Sequence, residues 1–314
     1  MNPLASLFGA GVRLRNALYD RGTFPARRLH GPTISVGNLS VGGSGKTPFV
    51  LLLGELLKAR GVKFDVLSRG YGRQSRGVLL VDPSGASHDF GDEPLLMARR
   101  LGAPVVLGED RYEAGVFAET KFGPLLHVLD DGFQHRALAR DFDIVLVTPD
   151  DARDRLLPAG RLREPLCSLR RADAVVLSSG ASPQAFPLDG KLVWRVRRGI
   201  LAKDVPARPV AFCGIARPQS FLLQLRTAGI EPVAEAVYRD HHVYSEKDIR
   251  ELLQVKAQSE AEGFVTTEKD AINLGSYLSA LEPLAVVPVK MELVDAANAV
   301  DTMLRMVEER RCGS

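Results

Sequence analysis

The 314-residue chain is predicted to be α/β, with a mostly parallel sheet domain followed by a second, smaller α/β domain. Three observations carry this prediction. Short apolar runs alternate with helix-length amphipathic stretches, the rhythm of parallel strands joined by crossover helices. That rhythm breaks once, at the loop-forming run Ser178-Ser179-Gly180-Ala181-Ser182-Pro183, and then resumes. The composition, 45% hydrophobic and 25% charged, suits a chain that buries a real core, and the length favours two domains.

In order along the chain, buried strands are expected at 33–36, 64–67, 104–107, 125–129, 144–147 and 174–177. The helix after the first of these is expected to begin at Thr47, with Pro48 where a missing N–H costs nothing and Gly61 at its exit. Residues 191–198 (KLVWRVRR) alternate polar and apolar, as a half-exposed strand does. The expected division is therefore a core domain over 1–188, a β-type linker over 189–205 and a closing domain over 206–314. In the last, strands are expected at 210–213, 264–267 and 285–289, with helices near 220–228, 245–262 and 296–311. Ser245 and Asp248 form the capping pair of the middle helix.

Lys+Arg 41 against Asp+Glu 38 leaves +3, too small an excess to indicate nucleic acid. Cys167, Cys213 and Cys312 are widely spaced and odd in number, which argues against a disulfide framework or a zinc site and suits a reducing cytoplasm. The longest apolar run, 49–57, is broken by Gly54 and Glu55, so no membrane-spanning helix is expected. The N-terminal arginines do not precede the apolar residues, so no secretory leader is expected either.

Between the first strand and its helix lies Ser40-Val41-Gly42-Gly43-Ser44-Gly45-Lys46-Thr47. This is close to the P-loop pattern: backbone N–H groups cradle phosphate oxygens, the lysine reaches the terminal phosphates and the threonine hydroxyl ligates Mg²⁺. Ser40 stands where the pattern has its first glycine. The sheet domain is thus expected to be of the P-loop NTPase type, binding a nucleotide with Mg²⁺. Asp130 and Asp131, which close the apolar run 125–129, are the metal-side candidates, although acidic pairs after strands also serve as helix caps. A Ras-type guanine site is not supported, since Thr267-Glu268-Lys269-Asp270 carries its lysine one position late. A dinucleotide fold is not supported either, for want of G-x-G-x-x-G before a helix.

Further strings follow in order: Ser68-Arg69-Gly70-Tyr71-Gly72-Arg73, Gly91-Asp92-Glu93-Pro94, Asp130-Asp131-Gly132-Phe133-Gln134-His135, residues 157–164 (LPAGRLRE), Asp240-His241-His242 and Thr267-Glu268-Lys269-Asp270. With Val36-Gly37-Asn38 and the P-loop, these resemble the tetraacyldisaccharide 4′-kinase family, the lipid A 4′-kinases of Gram-negative bacteria, from about residue 30 to about residue 275. The resemblance implies transfer of the γ-phosphoryl group of ATP, with Mg²⁺, to the 4′-hydroxyl of an acylated glucosamine disaccharide 1-phosphate lipid, at the cytoplasmic face of the inner membrane. It also implies that Asp92 is the catalytic base and that His241 pairs with it across a domain cleft. Taken alone, Asp92 reads equally well as a helix N-cap, and the neighbouring His242 leaves the histidine open. Arg69 and Arg73 leave the carboxyl end of a strand, where ligands of open sheets gather, and are candidates to contact substrate or nucleotide phosphates, the alternative being that they are structural surface arginines. The same strings put Gln134, His135, Arg161 and Arg163 near the site without individual roles.

Leu4, Leu7, Phe8, Gly11, Leu14 and Leu18 share one helical face, with Arg13 and Arg15 nearby. Such a helix either packs on the protein's own core or lies in a membrane interface, and the lipid substrate favours the membrane. No nucleic acid and no obligate protein partner is expected. The competing class is a P-loop ATPase acting as a nucleotide-driven assembly factor, which would turn over ATP without an acceptor.

Overall fold

The computed structural model describes residues 3–71 and 73–313; Gly72, within one of the strings above, lies outside the described residues. Strands β1 to β8 are Thr33–Asn38, Phe64–Ser68, Leu79–Leu80, Val105–Leu107, Leu126–Asp130, Phe142–Val147, Ala174–Leu177 and Leu192–Ile200. Strands β9 to β13 are Pro209–Cys213, Ala234–Val237, Gly263–Thr267, Leu284–Val287 and Val289–Leu293. Helices α1 to α5 are Pro3–Asp20, Lys46–Lys58, Ser87–Phe90, Asp92–Leu101 and Arg111–Phe122. Helices α6 to α9 are Pro218–Thr227, Glu246–Gln258, Glu268–Leu274 and Ala296–Cys312.

Two sheets result. The first, of nine strands, runs β13-β8-β7-β6-β1-β5-β2-β4-β3, and the second, of four, runs β10-β9-β11-β12. The second is parallel throughout; in the first only the outer pairs β8–β13 and β3–β4 are antiparallel. The six expected central strands all form, because each is an apolar run buried on both faces. Phe49, Leu53 and Leu57 of α2, Leu95 and Leu101 of α4 and Met303 of α9 seal one face of the large sheet with Ile34, Val36, Val66 and Val128. Phe212, Phe264 and Leu252 fill one face of the small sheet, and Phe221 and Leu225 of α6 the other.

The expected domain boundaries shift. Residues 189–205 were expected as a linker, but β8 pairs with β7 and β13 and is therefore a strand of the large sheet. The expected closing domain 206–314 also ends early. The expected strand 285–289 divides at Pro288, which has no N–H to give a ladder; β12 stays in the small sheet while β13 and α9 return to the large one. The alternating burial of β13, with Met291 and Leu293 inward and Lys290 and Glu292 outward, is that of a sheet edge. Helix α7 begins where Ser245 and Asp248 form the expected capping box.

Candidate functional site

Strand β1 delivers the chain to the glycine-rich loop beside β5, with Val36 opposite Asp130 in the ladder. Gly42, Gly43 and Gly45 take φ values of 77°, 46° and 86°, which side chains resist. Ser40 does not, which is why serine is tolerated where the pattern has glycine. It is buried and bridges Leu162 across a short antiparallel contact, while the Val41 N–H donates to the Arg161 carbonyl at 2.8 Å. The LPAGRLRE string therefore braces the loop. Helix α2 begins at Lys46, one residue before its expected start, with Gly45 as a cap that brings no side chain. Its first N–H groups and the positive end of its dipole remain available to an anion.

Asn38, fully buried, organises this end. Its amide donates to the Ser40 carbonyl at 2.6 Å and to Ser44 Oγ at 2.7 Å, and its Oδ1 accepts from Lys46 Nζ at 3.1 Å and from Arg163. Arg163 also makes a two-pronged contact with Asp131, at 2.7 and 2.8 Å. Burial alone would raise the Asp131 carboxyl, but the Arg163 hydrogen bond and the charges of Lys46, Arg163 and Arg111 hold it far below the usual range. Asp130 differs. Ser68 donates to its Oδ2 at 2.9 Å, but its buried Oδ1 has no partner. Burial, then the neighbouring charges of Glu93 and Asp131, pushes its pKa up to about 7.

Across the cleft, Asp92 opens α4 after Gly91, whose φ of 87° makes the turn. One Asp92 oxygen accepts the Glu93 N–H at 2.8 Å, so it occupies a helix N-terminus as well as facing the cleft. Both oxygens lie 3.0 Å from His241 Nδ1, and Asn273 Nδ2 donates to Oδ2 at 3.1 Å. His242 instead sits 3.2 Å from Asp248 and stacks on Tyr238, facing away. Burial would raise the Asp92 carboxyl; the His241 hydrogen bond, the charges on Lys269 and His241 and the Asn273 amide hold it below its ordinary value. His241 is raised, chiefly by its hydrogen bond to Asp92 and against its own burial.

Both groups line one cavity of about 660 Å³, closed by Arg198 of β8 and Arg217 of the second domain, whose side chain lies against Gly43. Arg69 lines it too. Arg73, Gln134 and His135 do not. Arg73 turns back to donate to the Gly77 carbonyl at 2.7 Å, and Gln134 Nε2 donates to the Asn38 carbonyl at 2.9 Å, acting behind the loop. Burial and the nearby Arg111 push His135 down to about 4, so it is neutral near pH 7. Four residues given no role from sequence hold the site together: Asn38, Arg163, Lys269 and Asn273. Three lie inside or at the end of quoted strings. What Lys269 and Asn273 touch, however, depends on a contact more than 170 residues away.

The profile described as Tetraacyldisaccharide-1-P 4'-kinase matches residues 1–308. The tetraacyldisaccharide 4'-kinase of Koribacter versatilis is 53% identical over 321 residues, covering 99% of this chain and 100% of that protein. That of Chlorobaculum parvum is 39% identical, covering 99% and 95%. A crystal structure of the "apo" form of LpxK from Aquifex aeolicus in complex with ATP has a TM-score of 0.81 and 37% identity, covering 97% of this chain and 98% of that one. This chain belongs to the tetraacyldisaccharide-1-P 4'-kinase family.

Proposed function

We propose that this chain transfers the γ-phosphoryl group of ATP to the 4′-hydroxyl of tetraacyldisaccharide 1-phosphate, giving the 4′-phosphorylated lipid A precursor. One observation carries the chemistry: the uncapped α2 N-terminus with Lys46 and the Asp92–His241 pair open on the same cavity. Phosphoryl transfer asks for neutralisation of phosphate charge, alignment and a base at the attacking hydroxyl. The loop N–H groups and Lys46 meet the first need. Arg69, Arg198 and Arg217 add positive charge around the cavity. Asp92, kept ionised, accepts the proton of the acceptor hydroxyl as the γ-phosphoryl group passes to that oxygen and ADP leaves, and His241 orients the carboxylate through its hydrogen bond.

The residues present also fit Mg²⁺. A hard cation bound with nucleotide phosphates needs few protein oxygens, and the buried, unpartnered Asp130 Oδ1 near Thr47 offers them. Asp131, already engaged by Arg163 and Lys46, is the weaker candidate. Bound there, Mg²⁺ would neutralise phosphate charge.

Helix α1 supports a peripheral position on the inner membrane's cytoplasmic face, where the acylated substrate resides. It docks through polar groups, Asn16 donating to Glu164 at 2.8 Å and Arg136 to the Asn16 carbonyl at 2.9 Å. Leu4, Leu7 and Leu14 are 62%, 71% and 63% exposed, an apolar stripe for the acyl boundary. No described helix is long and apolar enough to cross a membrane.

The test is incubation of the protein with MgATP and detergent-dispersed tetraacyldisaccharide 1-phosphate, followed by mass spectrometry. One phosphoryl group gained by the lipid, and lost in Lys46→Ala and Asp92→Ala, is expected. ADP formation that needs no acceptor would instead favour the assembly-factor ATPase.

A further inference from the structure

The string Thr267-Glu268-Lys269-Asp270 is unused by the mechanism above, yet it forms part of the contact between the two domains. Thr267 caps α8 through Asp270. Buried Asp270 in turn accepts the Gly214 N–H at 2.6 Å and the Tyr244 hydroxyl at 2.9 Å. The Gly214 carbonyl accepts the His241 N–H at 3.2 Å, and His241 itself sits at φ 58°. Helix α8 and the turn carrying His241 are thus fastened to the same glycine. Glu268 reaches Arg100 of α4 at 2.6 Å. Lys269 Nζ enters the site, 3.1 Å from Asp240, 3.5 Å from Glu93, 3.7 Å from Asp92 Oδ2 and 3.4 Å from His241 Nε2.

We infer that Lys269 is a positioning residue: from the second domain it holds Asp92 as a carboxylate and His241 as its Nδ1–H donor, so the pair is complete only where the two domains meet. This rests on the kinase reading above and deepens it. The argument is one of donors and charges. An ammonium has only hydrogens to offer, so beside Nε2 it favours the tautomer in which Nε2 is the acceptor and Nδ1 carries the hydrogen facing Asp92. The charged groups facing His241 are Asp92 from α4, Asp240 from its own turn and Lys269 from α8, the last of which also faces Glu93, with the Tyr71 ring 5.6 Å away. Lys269 is therefore the cation set against three carboxylates. Burial would lower its ammonium, but Glu93, Asp92 and Asp240 keep it above its ordinary value, so it stays charged through the working range.

The signs agree. Removing this cation raises Asp92, because a nearby positive charge favours the carboxylate, and raises His241, because a like charge no longer opposes its protonation. Both changes move the acidic limb of the rate profile to higher pH.

The experiment compares wild type, Lys269→Met and Lys269→Arg by lipid phosphorylation across pH 5.5–9 and by NMR titration of the His241 ring, with thermal unfolding alongside. Lys269→Met is expected to lower kcat about 10- to 100-fold with KM for ATP changed less than about twofold. Its acidic limb and the His241 midpoint should both rise by about half a unit or more, and Lys269→Arg should restore both. A reduced kcat with neither displaced would make Lys269 a mere tether and overturn the inference, as would a wild-type rate. If the methionine variant does not fold, Lys269→Gln carries the same expectations. The NMR arm needs no turnover. Failure of wild type to phosphorylate the lipid would sink the kinase reading and still leave the His241 result to decide the role of Lys269.

Discussion

The two ends of the cavity are built in opposite ways. At the loop end, Asn38, Ser44, Lys46 and the three left-handed glycines fall within ten consecutive residues, and one buried amide ties them together. At the far end, Asp92 comes from one domain and His241, Lys269 and Asn273 from the other. The loop end is therefore built mainly from one short stretch of chain, braced from outside by residues 161–163. The far end exists only when two sheets meet. Their electrostatics differ as well: Asp92 is surrounded by compensating donors, whereas Asp130 is left buried with one oxygen unpartnered.

The largest effect is expected from Lys46→Ala, which should cut turnover by about a thousandfold while leaving the His241 titration midpoint where it is. A displaced midpoint would mean the two ends are coupled and would break the comparison. Asp92→Asn should lower kcat by about a hundredfold or more, with ATP affinity, followed by fluorescent nucleotide displacement, essentially unchanged. Asn38→Ala removes hydrogen bonds to Lys46 and Ser44, and with contacts to charged groups at about 1.5–3 kcal/mol each it should cost about 10- to 100-fold in kcat/KM. Equal losses for ADP formation with and without lipid would keep that effect at the loop end.

Asp130→Asn should abolish activity yet stabilise the nucleotide-free fold at pH 8. The folded pKa of about 7 lies above the unfolded carboxylate's, so the wild type binds this proton more tightly when folded. Its stability therefore falls as pH rises from about 4 to 7, and thermal unfolding of the variant should lack that component. Smallest of all, Arg100→Ala breaks the partly exposed Arg100–Glu268 contact, worth below about 1 kcal/mol, and should change kcat only a few-fold. A loss comparable to that of Lys269→Met would shift the weight of closure from the buried cation to the rim.

Much of this was legible without coordinates. The six central strands, the loop glycines and the Ser245–Asp248 cap were expected because each rests on local pattern; the Asp92–His241 pairing was an implication of the family resemblance, since the residues alone left His241 and His242 open. The expected linker failed for a specific reason: residues 191–198 alternate as an exposed strand does, and alternation does not say which sheet a strand joins. For the same reason the return of β13 and α9 to the first domain was missed. Arg73, Gln134 and His135 share the strings of cavity residues but do not line the cavity, since successive residues of a turn or strand emerge on different sides.

The amino-acid sequence by itself determined the α/β class, the phosphate-binding loop and the helix behind it. These follow from apolar periodicity and from glycines whose φ few other residues adopt, properties that act within a few residues. Tertiary structure alone decided that the apolar face of α1 points outward, that Arg163 joins Asn38 to Asp131, and that Lys269 stands between Asp92 and His241. Those depend on packing between segments far apart in the chain, where the free energy of a contact is set by what the whole fold brings within a few ångströms.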